Sequence, residues 1–211
     1  MKLFPWLIFG GASGVGRALV KKGLQQERPM IALVRNSRQA EELRNLGLTV
    51  IAGDALDPQS VRTACLAAGP HARIISTLGS AEADYTGNRL IIDTAEQCDL
   101  RHMLLVTSIG CGDSWPSLSA RARQVFGQAV REKSLAESWL QSSRLNGCIL
   151  RPGGLRDGAA TGQSIRVQGQ AHGVITREDV ADHITQLVDD EAAYGQIYAV
   201  IDPGLTMAVK P

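Results

Sequence analysis

The glycine-rich stretch Phe9–Arg17 constrains the fold of this chain more than any other feature. It follows the apolar run Leu3–Phe9, which predicts a short buried strand, and it precedes Ala18–Val20, which begins a helical pattern. Glycines let the backbone turn tightly and approach a ligand closely. The helix after them directs free N–H groups and its positive dipole end at an anion. We therefore predict a phosphate-binding turn formed by Gly10, Gly11, Ala12, Ser13, Gly14, Val15 and Gly16.

The glycine spacing leaves an alternative open. Gly10-x-x-x-Gly14-x-Gly16 is not the G-x-G-x-x-G fingerprint of dinucleotide-binding folds. An ordinary glycine-rich loop would satisfy the same spacing. The position directly after the first predicted strand favours the nucleotide site.

Strand and helix patterns alternate along the remaining chain. After the first strand, the predicted strands are Met30–Arg35, Thr49–Ala52, Ala72–Ser76, Met103–Thr107, Cys148–Leu150 and Ile197–Ile201. The predicted helices are Arg38–Leu46, Gln59–Ala67, Asp84–Cys98, Ser119–Gln141 and Thr176–Val188. Strands separated by helices indicate parallel pairing with right-handed crossovers. We predict an α/β fold: a doubly wound parallel sheet, Rossmann-like, in a three-layer α/β/α arrangement, with ligands at the carboxyl ends of the strands.

A chain of 211 residues suits one domain. We expect residues 1–211 to form a single NAD(P)-binding Rossmann domain. The region Gly153–Gly173 is rich in Gly, Gln and Ala and has no clear periodicity. We predict that residues 153–175 form a small C-terminal lobe on the substrate side. We expect a monomer or a homodimer.

Composition narrows the class of partner. With 22 basic and 21 acidic residues the formal net charge is +1, and aromatic residues make up 4%, so nothing indicates a nucleic-acid partner. No apolar stretch has the length needed to span a membrane. The four cysteines stand far apart, which is typical of reduced thiols in a cytoplasmic protein. Cys111 lies in a glycine loop, and a nucleophilic role is its alternative.

The four histidines are scattered without the spacing of metal ligands, so we predict no metal site. His172 lies in the predicted lobe, where it would face a substrate.

The second predicted strand ends at Arg35, with Arg38 close behind. At this place, about 20 residues after the glycines, an NAD-binding fold presents Asp or Glu to the ribose hydroxyls. A guanidinium instead binds a 2′-phosphate with two hydrogen bonds, whereas a carboxylate repels it. We therefore predict NADP(H) as the cofactor, the alternative being two solvated surface charges. Asp54, followed by Ala55, is placed to accept a hydrogen bond from the adenine amino group or to cap a turn.

Six short motifs are spread over nearly the whole chain: Gly10–Arg17, Leu33–Arg35, Gly53–Asp54, Ser76–Gly79, Val106–Ser108 and Leu150–Gly153. Together they resemble the atypical short-chain dehydrogenase/reductases. Within these the chain is most similar to the NAD(P)H-binding branch of biliverdin-IXβ/flavin reductases and NmrA-like proteins. The resemblance implies that a small-molecule acceptor is reduced by a nicotinamide cofactor.

The same resemblance assigns further site residues. It places Thr77, Leu78 and Gly79 under the cofactor, and Thr107 and Ser108 beside the nicotinamide. It also implies that Pro152 and Gly153 pass along the nicotinamide. The Ser108 hydroxyl would hold the carboxamide or polarise a substrate carbonyl. The alternative for Ser108 is a turn or helix cap.

The chain departs from many short-chain reductases on its longest predicted helix. Those enzymes carry Tyr-x-x-x-Lys, in which the lysine lowers the tyrosine pKa so that the phenol can move a proton. Here Lys133 is preceded four residues earlier by Ala129. We expect Lys133 to contact the nicotinamide ribose, or else to be a surface lysine. Alcohol dehydrogenation is disfavoured, because it needs the missing acid.

Hydride transfer to a flat conjugated acceptor, such as a flavin, a linear tetrapyrrole or a quinone, needs no tyrosine because solvent supplies the proton. Trp115 would line the acceptor pocket as a flat apolar wall, or pack under its own loop. The alternative function is a non-catalytic NADP(H)-sensing protein of NmrA-like type, which the missing tyrosine favours. An epimerase or isomerase activity on a sugar nucleotide is a third, weaker hypothesis.

Overall fold

A computed structural model describes residues 3–80 and 82–206. Met1, Lys2, Ala81 and residues 207–211, which the single-domain prediction also includes, lie outside the described residues.

Ten strands and six α-helices make up the described chain. The strands are β1 (Trp6–Phe9), β2 (Met30–Val34), β3 (Thr49–Ala52), β4 (Arg73–Ser76), β5 (His102–Val106), β6 (Asn146–Pro152), β7 (Gly154–Arg156), β8 (Ile165–Val167), β9 (Val174–Thr176) and β10 (Ile197–Ile201). The helices are α1 (Gly14–Gln25), α2 (Ser37–Asn45), α3 (Pro58–Ala68), α4 (Asn88–Gln97), α5 (Ala120–Gln141) and α6 (Arg177–Leu187). A π-helical turn, Ala83–Gly87, precedes α4, and short 3₁₀ helices span Gly112–Ser117 and Glu191–Ala193.

Eight strands form one sheet in the order β3-β2-β1-β4-β5-β6-β10-β8. All neighbours pair in parallel except β10 and β8, which are antiparallel. Strands β7 and β9 form a separate parallel pair. None of the helices in the described residues is long and apolar enough to cross a bilayer.

Helices cover both faces of the sheet. One buried cluster joins the sheet to α1, α2 and α6 through residues such as Leu19, Leu43 and Ile184. A second cluster joins the opposite face to α3, α4 and α5 through residues such as Val61 and Ile91. The predicted three-layer α/β/α fold with a mostly parallel, doubly wound sheet is therefore confirmed.

The order of the strands reverses between β1 and β4, which are neighbours in space. In open parallel sheets the crevice for ligands lies at this reversal, beyond the carboxyl ends of the strands. The segments that follow β1, β4, β5 and β6 all begin at this edge and carry most of the predicted site residues.

Several sequence predictions differ from the structure, among them the helix predicted over Asp84–Cys98, whose first residues form the π-helical turn before α4. Helix α1 begins at Gly14 rather than at Ala18, so the last two glycines of the motif belong to its first turn. The region Gly153–Gly173 contains β7, β8 and the approach to β9, where no regular structure was predicted. Strands of three residues are too short to show an alternating pattern, and β8 makes the sheet edge antiparallel where parallel pairing was expected.

Candidate functional site

The glycine turn connects β1 to α1 and presses its backbone against the end of β4. A Cβ atom on Gly10 would lie 2.6 Å from Thr77 Oγ1, and one on Gly16 would lie 2.1 Å from the Gly10 carbonyl oxygen. Gly10 and Gly14 adopt φ values of +88° and +53°, which favour glycine. The turn thus forms a concave surface of backbone atoms, the glycine cradle, which larger side chains at these positions would fill.

The N-terminus of α1 has no group of its own to satisfy its first N–H donors. Ser13, the N-cap, makes no side-chain cap hydrogen bond, and the first turn contains no acidic residue. By contrast, Asn36, Asp57 and Thr176 cap α2, α3 and α6 with side-chain oxygens. Free donors at a helix N-terminus bind phosphate groups. The cradle and these donors fit a dinucleotide pyrophosphate.

Arg177 lies beside this turn, although no pattern in the sequence indicates this contact. It is the first residue of α6, which packs along α1. Its Nε is 3.7 Å from the Cβ position of Gly14, and it donates a 2.8 Å hydrogen bond to Asp157, whose side chain is 93% exposed. A guanidinium so close to uncapped helix donors adds positive charge where a phosphate would lie.

The two arginines after β2 are exposed and differ in their partners. Arg35, 77% exposed, donates a 3.2 Å hydrogen bond to Asp54 Oδ2. Arg38 forms an ion pair one helical turn along α2 with Glu42, at 3.1 Å. Asp54 Oδ1 accepts from the backbone N–H of Leu56, so this carboxylate caps its own turn. Ala55, next along the chain, packs against the buried cluster of α3, α4 and α5.

The segment after β4 is held by β1 and by α5. Thr77 donates its backbone N–H to the Phe9 carbonyl at 2.9 Å, and its hydroxyl donates to the same oxygen. Lys133 Nζ reaches the Leu78 carbonyl oxygen at 3.3 Å and Asp84 Oδ1 at 2.6 Å. Gly79 follows with open space at its Cβ position.

Lys133 is mostly buried, with 15% of its side chain exposed, so the alternative of a surface lysine is wrong. Burial raises the pKa of Asp84, and the Lys133 charge opposes that rise. The ammonium group therefore lies against the segment that the resemblance places under the cofactor.

A buried charge network supports the segment after β5. Thr107 Oγ1 donates to Glu137 Oε1 at 2.6 Å, and Arg151 donates to both Glu137 oxygens at 3.0 and 2.7 Å. Arg151 also donates to Asp113 at 2.6 Å. Burial alone would lower the pKa of Arg151, but the carboxylates of Glu137 and Asp113 raise this pKa overall. The network joins β5, β6, α5 and the loop that follows Ser108.

Ser108 itself is half-buried at the end of β5, and its hydroxyl donates to the Ile109 carbonyl at 3.0 Å. The Ile109 N–H donates to Pro152 across the ends of β5 and β6. A Cβ on Gly153 would lie 2.5 Å from the Gly173 carbonyl, so this glycine lets the lobe approach closely. Ser108, Pro152 and Gly153 thus lie at the same sheet edge.

The two predicted substrate residues have different surroundings. Trp115 is half-buried and rests on α5, with its Cη2 3.3 Å from the Cβ position of Gly127. It packs against this helix, and it also lines a surface cleft together with Arg123 and Arg131. His172 is exposed between β8 and β9.

Cys111 is fully buried, and burial raises its pKa to about 11. The thiol is therefore protonated at neutral pH, and the alternative of a nucleophilic Cys111 is wrong. In the part of the chain that the structure describes, no group of His, Cys, Asp and Glu side chains is arranged to hold a metal ion.

Comparisons with known proteins show relatives of this chain in sequence and in fold. Anaerobillin reductase ChuY from Escherichia coli O157:H7 has 51% sequence identity, and its structure superposes with a TM-score of 0.94 over 97% of this chain and 100% of that one. An uncharacterized sugar epimerase, YhfK of Bacillus subtilis, is 27% identical over 198 residues, which are 90% of this chain and 89% of that protein. The NAD(P)H azoreductase of Xenophilus azovorans is 26% identical over 64% of this chain and 46% of that enzyme.

The model of a family described as NAD(P)H-binding matches residues 10–191, from the first glycine of the phosphate turn to the 3₁₀ helix before β10. This span includes the candidate site residues from Gly10 to Arg177, and it ends before β10. The nicotinamide cofactor inferred from the sequence is thereby confirmed as NAD(P)H. The chain belongs to the NAD(P)H-binding family.

Proposed function

We propose that this protein is an NADPH-dependent oxidoreductase that transfers hydride to a flat conjugated acceptor of flavin, linear tetrapyrrole or quinone type. The observation that carries the proposal is the sheet edge at β1, β4, β5 and β6. It combines a glycine cradle, an exposed arginine after β2 and a polar segment at Ser108, but it presents alanine where a catalytic tyrosine would stand. The 51% identity to a protein described as an anaerobillin reductase supports the acceptor class.

The cofactor-binding residues follow from the contacts above. The uncapped N-terminus of α1 and Arg177 would hold the pyrophosphate. When the cofactor binds, the exposed side chain of Arg35 would leave Asp54 and bind the 2′-phosphate. The side chain of Arg38 is also exposed and lies nearby. Thr77–Gly79, Thr107 and Pro152–Gly153 would flank the nicotinamide half, with Lys133 at its ribose. When bound, NADPH supplies the hydride.

The acceptor side of the cleft lacks an acid of the tyrosine type. Ala129 stands one turn before Lys133, and Phe126, 61% exposed, lies on the same face of α5 one further turn away. An exposed aromatic ring suits the stacking of a flat acceptor. Ser108 would position or polarise that acceptor. Because Ala129 stands at the position of the tyrosine, water would supply the proton that accompanies the hydride.

Steady-state NADPH oxidation with flavin, quinone and linear tetrapyrrole acceptors tests this function. We expect turnover with at least one of these classes. Tight NADPH binding without turnover in any of them would contradict the proposal and indicate the sensor instead. Epimerisation of a sugar nucleotide without net NADPH oxidation would indicate the third hypothesis.

Ser108→Ala is expected to lower kcat with the best acceptor. The loss should be about 10²–10³-fold if the hydroxyl stabilises developing charge, and smaller if it only positions the acceptor.

Lys133→Ala should chiefly weaken NADPH binding, since Ala129 offers no phenol for the lysine to activate. Titration of NADPH and measurement of kcat for each variant separate the two effects.

Lys133→Ala also leaves Asp84 buried without its ion-pair partner, so it needs a control. The double variant Lys133→Ala with Asp84→Asn removes that charge, and it should bind NADPH as weakly as the single variant while unfolding at a higher temperature. Intact NADPH affinity with abolished turnover would instead identify Lys133 as a proton donor.

Arg35→Ala is expected to reduce the preference for NADPH over NADH. A charge-assisted hydrogen bond contributes about 1.5–3 kcal/mol, so NADPH affinity should fall about 10- to 100-fold while NADH affinity changes little. Arg38→Ala is the matched control and should have the smaller effect, because its guanidinium pairs with Glu42 on α2. Equal wild-type affinities for the two cofactors would contradict the assignment.

A further inference from the structure

A second cleft lies beside the Ser108 loop, and neither the cofactor nor the hydride step uses it. Its volume is about 500 Å³, and it is lined by Trp115, Arg123, Gly127, Gln128 and Arg131. The lining residues come from the 3₁₀ helix Gly112–Ser117 and from the first half of α5. A cleft of this size takes a chemical group or a ring of a small molecule.

Two guanidinium groups converge on the indole of Trp115. The Arg131 guanidinium carbon is 5.0 Å from the ring centroid, and that of Arg123 is 5.7 Å away. Within residues 3–80 and 82–206, neither forms an ion pair. Arg123 donates to the Pro116 carbonyl at 2.9 Å, and the nearby Glu132 accepts a hydrogen bond from Gln128. The cleft therefore holds two guanidinium groups that have no ion-pair partner among the described residues, while the Glu132 carboxylate is hydrogen-bonded at its Gln128 side.

Gly127 allows this arrangement. A Cβ there would meet the Trp115 ring at 3.3 Å, so a larger side chain would push the indole away from the helix. With glycine, the ring lies close to α5, and both guanidinium groups lie over it. Arginine stacked on an aromatic ring keeps its hydrogen-bond donors free at its edge, which suits binding of a carboxylate or phosphate.

The cleft is fixed relative to Ser108. Trp115 follows Ser108 by seven residues, at most about 25 Å of extended chain, and the 3₁₀ helix shortens that distance. Arg151 holds Asp113, and Ser134 of α5 accepts from the Gly112 N–H at 2.9 Å. An acceptor built of several linked rings can therefore reach from Ser108 to this cleft.

We propose that this cleft, the Trp115 cleft, is the subsite for acidic groups of the acceptor, and that the acceptor is a flat conjugated molecule that carries carboxylates. The proposal rests on the proposed reductase function for its link to hydride transfer. A carboxylate would be held between Arg123 and Arg131 while the conjugated rings extend to Ser108. The acidic groups take no part in the redox step, and they select the acceptor by charge.

Paired acceptors that share a ring system and differ in their acidic groups test this subsite. Biliverdin carries carboxylates that its dimethyl ester lacks, and FMN carries a phosphate that riboflavin lacks. In the double variant Arg123→Gln with Arg131→Gln, we expect KM for biliverdin and FMN to rise about tenfold or more, as for the loss of charge-assisted hydrogen bonds. KM for the ester and for riboflavin should change less than about twofold. Arg121→Gln, an exposed arginine on the same helix, is the matched control.

Direct binding makes the test independent of turnover. Quenching of Trp115 fluorescence by biliverdin and by its ester, with Trp115→Phe as the blank, reports occupancy without NADPH. Selective loss of biliverdin binding in the double variant supports the subsite, whether or not the wild type turns over. Absence of turnover in the wild type would refute only the proposed function. An equal loss for both ligands, or no loss for either, overturns the subsite while leaving the reductase function intact.

Discussion

Glu137→Ala is expected to lower the free energy of unfolding by about 3–5 kcal/mol, the cost of removing one partner from a buried ion pair. Glu137 and Arg151 expose only 2% and 4% of their side chains. Without the carboxylate, the Arg151 guanidinium loses two hydrogen bonds and Thr107 loses its acceptor, with no solvent to replace them. Urea unfolding followed by circular dichroism at pH 7 measures the change.

Two controls separate the charge from the packing. Glu42→Ala removes a carboxylate from an exposed pair with Arg38, and it should cost less than about 1 kcal/mol. The double variant Glu137→Leu with Arg151→Met removes both buried charges and should regain most of the loss, because apolar replacements of a whole buried pair are often tolerated. A single-variant loss below about 1 kcal/mol would show that the network does not support the fold.

The glycine turn between β1 and α1 was predictable because its signals are local. An apolar run, four glycines and a helical pattern occupy a single stretch, and together they predict a strand, a tight turn and a helix. The N-caps that Asp57 and Thr176 form are signals of the same local kind, because a capping side chain bonds to N–H groups only a few residues away. The order of strands and helices then implied the doubly wound sheet.

Glu137 and Arg177 were not predictable in the same way. A glutamate on a long helix ordinarily faces solvent, and only the packing of α5 on β6 brings it to Arg151. Arg177 lies 163 residues after Gly14 in the chain, and its proximity depends on α6 lying along α1. No periodicity or spacing encodes contacts of this kind.

The region Gly153–Gly173 shows a third limit to prediction from the sequence. The β8 strand is held by antiparallel hydrogen bonds to β10, and β7 by parallel bonds to β9. Asp179 accepts from the Thr161 and Gly162 N–H groups and thereby ties the intervening loop to α6. These constraints come from distant segments, so a stretch without internal pattern is ordered nonetheless.

Gly14→Val is expected to weaken NADPH binding at least about 100-fold while the fold survives. The nearest atom to a Cβ at this position is Arg177 Nε at 3.7 Å, so no collision with the protein forces the turn open. The valine methyl groups would instead fill the space between the α1 N-terminus and Arg177, where we place the pyrophosphate. Loss of two or more charge-assisted hydrogen bonds, each about 1.5–3 kcal/mol, gives the expected magnitude.

In the Gly14→Val variant, the left-handed backbone at position 14 adds strain of about 1–2 kcal/mol. The control variant must therefore carry the same strain. Gly47→Val provides it, because Gly47 has φ +96° and open space around its Cβ position after α2, away from the turn. Both variants should lower the unfolding temperature to a similar extent, and only Gly14→Val should lose NADPH affinity in a calorimetric or fluorescence titration. If Gly14→Val binds NADPH as tightly as Gly47→Val does, the pyrophosphate lies elsewhere and the glycine turn serves only the packing of α1 against β4.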